Sequence, residues 1–307
     1  MGTGKPSIAI LMAVYEPRMD WLRQQLCSLN EQTYPNLRLY IRDDCSPTVS
    51  FEEIERCVGE CVTKFPYSVC RNERNLGSNG TFERLTQEAE GDYFAYCDQD
   101  DVWLPEKLEV LAGEILKREA TLSYSDVSVI DGEGRQVADS LCDIRPRLRY
   151  LDGSGLAAEL FFRNCVAGCT MLIDAEIAKN AMPFPKDTVC DQWLALLAAT
   201  EGEVAFNKQS LVQYRQHKHN QTGVLQGVHD KDGYYRYKVH PLRERLEQYR
   251  KHTVPQKKVE KFVQARIDGN VRGIWKYRRL ARYEAAFEIA LRVLPERCVR
   301  WLLRRVR

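Results

Sequence analysis

The stretch "AYCDQDDVW" (residues 95–103) ends an apolar run, "DYFAY", and follows it at once with Asp98, Asp100 and Asp101. Three carboxylates in four residues repel one another, so they need solvent or a cation beside them. The end of a buried strand supplies such a place. In open α/β sheets, ligands bind outside the carboxyl ends of the strands. The surrounding chain fits that arrangement. "SIAILMAV" (7–14) is a continuous apolar run, the signature of a strand buried on both faces. "LRLYIRDD" (37–44) alternates Leu37, Leu39 and Ile41 and ends in Asp43 and Asp44; "YSVCRN" (67–72) is a short third strand. Between them lie helical patterns: "DWLRQQLCSLNEQ" with Asp20 as its cap, "FEEIERCVGECVTKF", and "TFERLTQEAEG" closed by Gly91. "PEKLEVLAGEILKRE" follows the acidic stretch, with Pro105 at a helix start.

Four strands alternating with four helices over about 120 residues predict an α/β fold: a doubly wound, mostly parallel sheet with helices on both faces. Polar residues collect at four strand ends: Tyr15 and Glu16, Asp43 and Asp44, Asn75 to Asn79, and Asp98 to Asp101. After Thr121 the alternation stops. A hairpin with its turn at Asp131 and Gly132, a strand in "AGCTMLID", an apolar helix in "CDQWLALLAAT" and a strand in "SLVQYRQH" are expected there. From Gly233 onward the pattern is helical and basic.

Composition narrows the function. The chain has 307 residues, 44% apolar and 29% charged, as in an ordinary folded protein. No stretch approaches the roughly 20 apolar residues of a membrane span. The first apolar run is too short for an export signal and ends at Glu16 and Pro17. The eleven cysteines are therefore expected to be reduced and buried. Cys57 with Cys61, and Cys165 with Cys169, share i, i+4 spacing, but no nearby histidines complete a zinc set. No GxxxxGK[ST] occurs, which excludes a P-loop kinase. "AVYEPRMD" is not glycine-rich, which argues against a nucleotidyltransferase or pyrophosphatase. The net charge of +2 hides an asymmetry: residues 271–307 hold eleven Lys and Arg against three Glu.

The carboxylates at 98–101 suit Mg²⁺ or Mn²⁺, with a diphosphate completing the shell. The competing reading is a cluster that caps the helix near Pro105.

"ILMAVYEP", "RDDCSP", "NLGSNGTFERL" and "CDQDDVWLPEKL" follow one another as in family 2 glycosyltransferases of the GT-A fold, and the chain resembles that family over about residues 6–223. "DQDDVW" and "YRQH" further resemble its bacterial rhamnosyltransferase-like subgroup. The resemblance implies a catalytic domain over 1–225, with a nucleotide-binding half to about 120 and an acceptor half over 121–225. Residues 226–307 form a helical, basic C-terminal extension. It implies a donor site at Ala13, Tyr15, Asp44, Asn75, Gly77, Asn79 and Asp100, with Tyr15 stacking on the base and Asp44 accepting from its ring N–H. Asp101 matches the metal ligand; Asp98 and His217 join it as metal candidates. Asp191 matches the general base of an inverting transfer, and its other reading is a helix cap. Arg215 and His219 are expected to meet the diphosphate in a closing loop, and Trp193 to wall the acceptor sugar.

The implied function is metal-dependent, inverting transfer of a sugar from a nucleotide-diphosphate donor, such as dTDP-rhamnose or a UDP-hexose. The acceptor is a cell-surface polysaccharide or lipid-linked oligosaccharide. Processive members carry Q-x-x-R-W; here Arg215 is not followed by Trp at the matching place, which favours single transfers. A nucleotide-sugar binding or scaffold protein of the same fold is the competing function. The basic tail, with Trp275, Phe287 and Trp301 among its arginines, reads either as a peripheral membrane contact at the cytoplasmic face or as a helical subdomain with a solvated basic side. No nucleic-acid recognition motif appears.

Overall fold

The computed structural model describes residues 4–217 and 228–306. Its central strand, β1 (Ile8–Val14), is buried along its length apart from the half-buried Ala13. A strand with no polar face must be covered by neighbours and helices, and this one is. It pairs in parallel with β2 (Leu37–Asp43) on one side and β4 (Tyr93–Cys97) on the other. β3 (Tyr67–Arg71) adds in parallel to β2 as the outer strand. Beyond β4 the sheet changes sense. β8 (Met171–Asp174) runs antiparallel to both β4 and β6 (Leu122–Ile130). β9 (Val204–Arg215) lies parallel to β6, and β5 (Val102–Trp103) closes the order antiparallel to β9. β7 (Gln136–Ala138) forms a hairpin with β6. Its turn is built by Asp131, whose carboxylate accepts from the Glu133 and Arg135 amides; the glycine at positive φ is Gly134.

Alternation along the strands sorts the helices. Ile8, Ile10, Met12 and Val14 share one core with Leu22, Leu26 and Leu29 of α1 (Met19–Asn30), with Ile54 and Val58 of α2 (Phe51–Cys61), and with Leu108 and Leu111 of α4 (Lys107–Arg118). Tyr96 instead meets Phe82 edge-on and hydrogen-bonds Thr86, both on α3 (Gly77–Glu88). Asp20 does not cap α1. It is the second helical residue and pairs with Arg18, which occupies the cap position.

The expected turn over Asn75–Gly80 is shorter than the sequence suggests, because α3 already begins at Gly77. The cause is Asp44. Its carboxylate accepts from the Leu76 amide at 2.7 Å and the Gly77 amide at 2.9 Å, two of the donors that a helix start leaves open. Gly77 has φ +73, a conformation that favours glycine.

The chain divides into two compact units. The first comprises Met1–Leu156, Asn164–Phe184 and Cys190–His217; the second comprises Ala157–Arg163, Pro185–Val189 and Lys218–Arg307. Within the second, Arg245 donates to the Phe161 carbonyl and the Thr188 hydroxyl, which ties the two short segments to the helix Pro241–His252. Its interior holds an ion pair, Arg266 with Glu288 at 2.6 Å, joined by the Tyr234 hydroxyl.

The expectation that the cysteines are buried holds for Cys57, Cys61, Cys97, Cys165, Cys169 and Cys190 only. Cys27 and Cys70 are exposed, and Cys45, Cys142 and Cys298 half-buried. All eleven are free thiols.

Candidate active site

Strand register gathers the polar ends. Val14 lies opposite Asp43, and Met12 opposite Cys97, so Tyr15, Asp44 and Asp98 leave the sheet along the same edge. A side-chain clamp joins two of these ends: Gln99 accepts from the Tyr15 amide at 2.8 Å and donates to the Tyr15 carbonyl at 3.0 Å. The Tyr15 ring is 44% exposed, open to a flat partner. Asn75 is exposed, and its side chain accepts from the Gly77 amide. Asn79 accepts from the Cys190 amide at 3.0 Å, so it caps the helix Cys190–Glu201. Ala13 lies opposite Arg42 within the sheet.

The acidic loop is held from both sides. β4 delivers it, and the two-residue β5 returns it against Val212 and Gln213 of β9. Arg215, the last residue of β9, then stitches it down. Its amide donates to Asp101 Oδ1 at 3.0 Å and its Nε to the Asp100 carbonyl at 2.7 Å. Its other guanidinium nitrogens reach Gln24 Oε1 and the Asp131 carbonyl. Arg215 is 1% exposed. It therefore does not present itself to a diphosphate. The sequence signal, an arginine beside a polar loop, does not tell which way the side chain turns. His217 Nε2 lies 2.6 Å from Asp100 Oδ2, and its ring packs 4.9 Å from that of Trp21. His219 lies outside the described residues.

Asp98 is half-buried and Asp101 fully buried. Burial, reinforced by the neighbouring carboxylates, raises both well above the usual carboxylate range. Asp101 Oδ2 is buried and accepts from no N–H or O–H donor. One oxygen from each of Asp98 and Asp101, and the Cys169 sulfur, lie within 4.8 Å of one another. A buried carboxylate oxygen that takes no N–H or O–H donor, beside a second carboxylate and the Cys169 thiol, is what a divalent cation would satisfy, so these residues fit a metal. Nearby, Lys107 is fully buried; its ammonium donates to the Cys169 carbonyl at 2.6 Å and lies over the Trp103 ring. Burial lowers Lys107 to about 7.

Asp191 is the second residue of its helix, so it is not the cap. Its carboxylate accepts from Gln192 N at 2.6 Å, Asn164 Nδ2 at 2.8 Å and Gly168 N at 3.3 Å. Burial raises it to about 6 against the opposing pull of those three donors. Its charge is felt at Asp98. Trp193 does not line an acceptor space. It is 0% exposed, and its indole N–H donates to the Ala181 carbonyl. Residues 192–199 of this helix are buried, so its apolar run serves the core on every side.

Sequence reasoning missed Gln99, Asn164 and Lys107, and noticed Cys169 only for its spacing from Cys165, not as a neighbour of the acidic loop. Gln99 had a signal, its place inside the acidic run. The others sit in apolar or unremarkable stretches and become neighbours only in the fold.

The model for the family described as glycosyl transferase family 2 matches residues 9–176, more than half of the chain. The chain belongs to glycosyl transferase family 2. This family 2 chain is 25% identical over 179 residues to the putative teichuronic acid biosynthesis glycosyltransferase TuaG of Bacillus subtilis, covering 57% of the chain and 65% of TuaG. It is 24% identical over 182 residues to WfgD of Escherichia coli, a UDP-Glc:alpha-D-GlcNAc-diphosphoundecaprenol beta-1,3-glucosyltransferase, covering 58% of the chain and 64% of WfgD. Each match spans less than two thirds of the relative's length. Among solved structures, S. aureus TarS 1–349 in complex with UDP-GlcNAc superposes with a TM-score of 0.63 at 13% identity, covering 93% of this chain and 87% of that 1–349 fragment. That likeness establishes the GT-A fold.

Proposed function

We propose that this family 2 glycosyltransferase moves one sugar per encounter from a nucleotide-diphosphate donor to a hydroxyl of a glycan or lipid-linked oligosaccharide, with inversion. The observation that carries the reading is Asp191. It is held by three donors, raised to about 6, and within electrostatic reach of Asp98 on the acidic loop. A carboxylate near 6 is mostly ionised at neutral pH and still basic enough to take a proton in the transition state. The acceptor oxygen bonds to the anomeric carbon as the bond to the diphosphate breaks. The acceptor proton goes to Asp191, and the diphosphate leaves with the electron pair. Asp98 and Asp101 would hold Mg²⁺ or Mn²⁺, which supplies positive charge to the departing diphosphate. The open Tyr15 ring would stack on the base, and the Asn75–Gly77 backbone, braced by Asp44, would approach the donor. Donors named by relatives and fold neighbours, UDP-Glc for WfgD and UDP-GlcNAc for TarS, favour a UDP-hexose; dTDP-rhamnose follows from the subgroup resemblance.

A melting-temperature panel of nucleotide sugars with and without Mn²⁺ tests this. A ligand at 100 times its Kd stabilises the native state by about 2.7 kcal/mol. We expect a shift for one donor class, dependent on the metal. No shift with any nucleotide sugar would overturn the reading. Turnover of the bound donor, measured as acceptor-dependent release of the nucleotide diphosphate, separates the transferase from a binding or scaffold protein.

The lipid-linked acceptor carries a second part of the proposal, contact with the inner face of the plasma membrane. Among the described residues no helix is long and apolar enough to cross a membrane. Residues 271–282 instead carry Arg272, Lys276, Arg278, Arg279 and Arg282 and no acidic residue. Trp275 among them is 58% exposed, with the Arg278 guanidinium 4.0 Å from its ring. Basic residues near an anionic surface contribute about 1 kcal/mol each. The protein is expected to sediment with phosphatidylglycerol vesicles at low salt, and Trp275→Ala to weaken this. Equal sedimentation with uncharged vesicles would remove the electrostatic contact.

A further inference from the structure

The proposed reaction uses Asp98, Asp101 and Asp191 and assigns no step to Cys169, whose thiol hydrogen-bonds the Asp101 carboxylate. Cys169 is the middle residue of the short 3-10 turn Gly168–Thr170 and is 1% exposed. Its sulfur shares a space 4.8 Å across with oxygens of Asp98 and Asp101. Three ligands of one small divalent ion stand roughly 3–4 Å from one another. The three atoms, within 4.8 Å of one another, thus close on an ion by shifts of about an ångström or less. The turn that carries the sulfur is anchored: the buried Lys107 ammonium grips the Cys169 carbonyl, and the neighbouring Gly168 amide binds Asp191. The sign of a missing ligand is Asp101 Oδ2, buried at the same spot with no N–H or O–H donating to it, while the Cys169 thiol already turns toward that carboxylate.

We infer that Cys169 is the third protein ligand of the divalent cation and that its sulfur biases the site toward thiophilic ions, Mn²⁺, Co²⁺, Zn²⁺ and Cd²⁺, over Mg²⁺. The inference rests on the metal reading given above and adds a selectivity that two carboxylates alone do not impose. Mg²⁺ takes oxygen ligands and parts reluctantly with water, whereas a thiolate suits softer ions. The metal displaces the thiol proton, which passes to solvent, so uptake releases one proton for this ligand. The donor diphosphate approaches from the side of the half-buried Asp98. If Cys169 only packs, its replacement leaves ion preference unchanged.

The test reads the metal and not transfer. The full chain, reduced and free of oxygen, is titrated with Co²⁺ without any sugar nucleotide, and the near-ultraviolet thiolate-to-cobalt band is recorded. The expected result is one such band per protein, absent in Cys169→Ser, with the Mn²⁺-over-Mg²⁺ affinity ratio falling by about tenfold or more. Cadmium NMR of the unaltered protein provides the same answer should Cys169→Ser fail to fold, because a bound sulfur shifts the resonance strongly. Cobalt bound without the band, or a band that survives in Cys169→Ser, overturns the assignment of Cys169 and leaves the carboxylate metal site standing. No cobalt bound at all overturns both. Neither result bears on whether a donor binds.

Discussion

Asp191→Asn is expected to lower transfer by about 10²-fold or more while sparing donor affinity. Asn keeps the size of the side chain, and its oxygen still accepts from Gln192 N and Asn164 Nδ2, so the helix start stays in place. What it loses is the ability to take a proton. The pH profile provides a second readout. The group is useful only when ionised and is raised to about 6, so kcat/KM in the unaltered enzyme climbs as pH rises through about 6 and then levels. The residual activity of Asp191→Asn lacks that limb. Undiminished transfer by Asp191→Asn would show that the acceptor proton leaves by another route.

Arg215→Ala is expected to destabilise the first unit by about 3–5 kcal/mol, because several buried acceptors are left unsatisfied at a cost of about 1–3 kcal/mol each. The change strips partners from the carbonyls of Asp100 and Asp131 and from the Gln24 amide oxygen, all gathered around a side chain that solvent barely reaches. The acidic loop then loses its clasp, and metal-dependent donor binding falls with it. Urea unfolding followed by tryptophan fluorescence measures the first effect and donor titration the second. A surface arginine that touched only phosphate would behave oppositely: donor affinity would drop at unchanged midpoint. Arg215→Lys discriminates further, because an ammonium retains the charge but cannot span three carbonyl groups.

Much of the fold was legible because burial on both faces leaves a plain trace. "IAILMAV" has no polar position to spare, and neither has the strand leading to Asp98. The strand ends were legible for the converse reason, since carboxylates following such runs have nowhere to go but out. β5 was not, because two residues cannot display a period. Nor was the direction in which side chains turn. Arg215 and Trp193 carry groups that suit a site, yet one is consumed by backbone carbonyls and the other by the Ala181 carbonyl in the core. Asn164 and Asp191 are 27 residues apart in sequence and meet only because their segments lie side by side in the fold. Contacts of that kind leave no local pattern to read.

The hydrogen bond from Cys190 N to Asn79 matters to anyone who would re-engineer this chain. It fastens the beginning of α3, next to the segment that Asp44 braces, to the helix that carries Asp191. Under the proposed roles, donor recognition and acceptor activation are therefore mechanically tied and not separate modules. A loop transplanted over residues 75–80 to recruit another sugar nucleotide would then pull on Asp191 as well, and swaps that keep an asparagine at position 79 are the ones expected to preserve turnover.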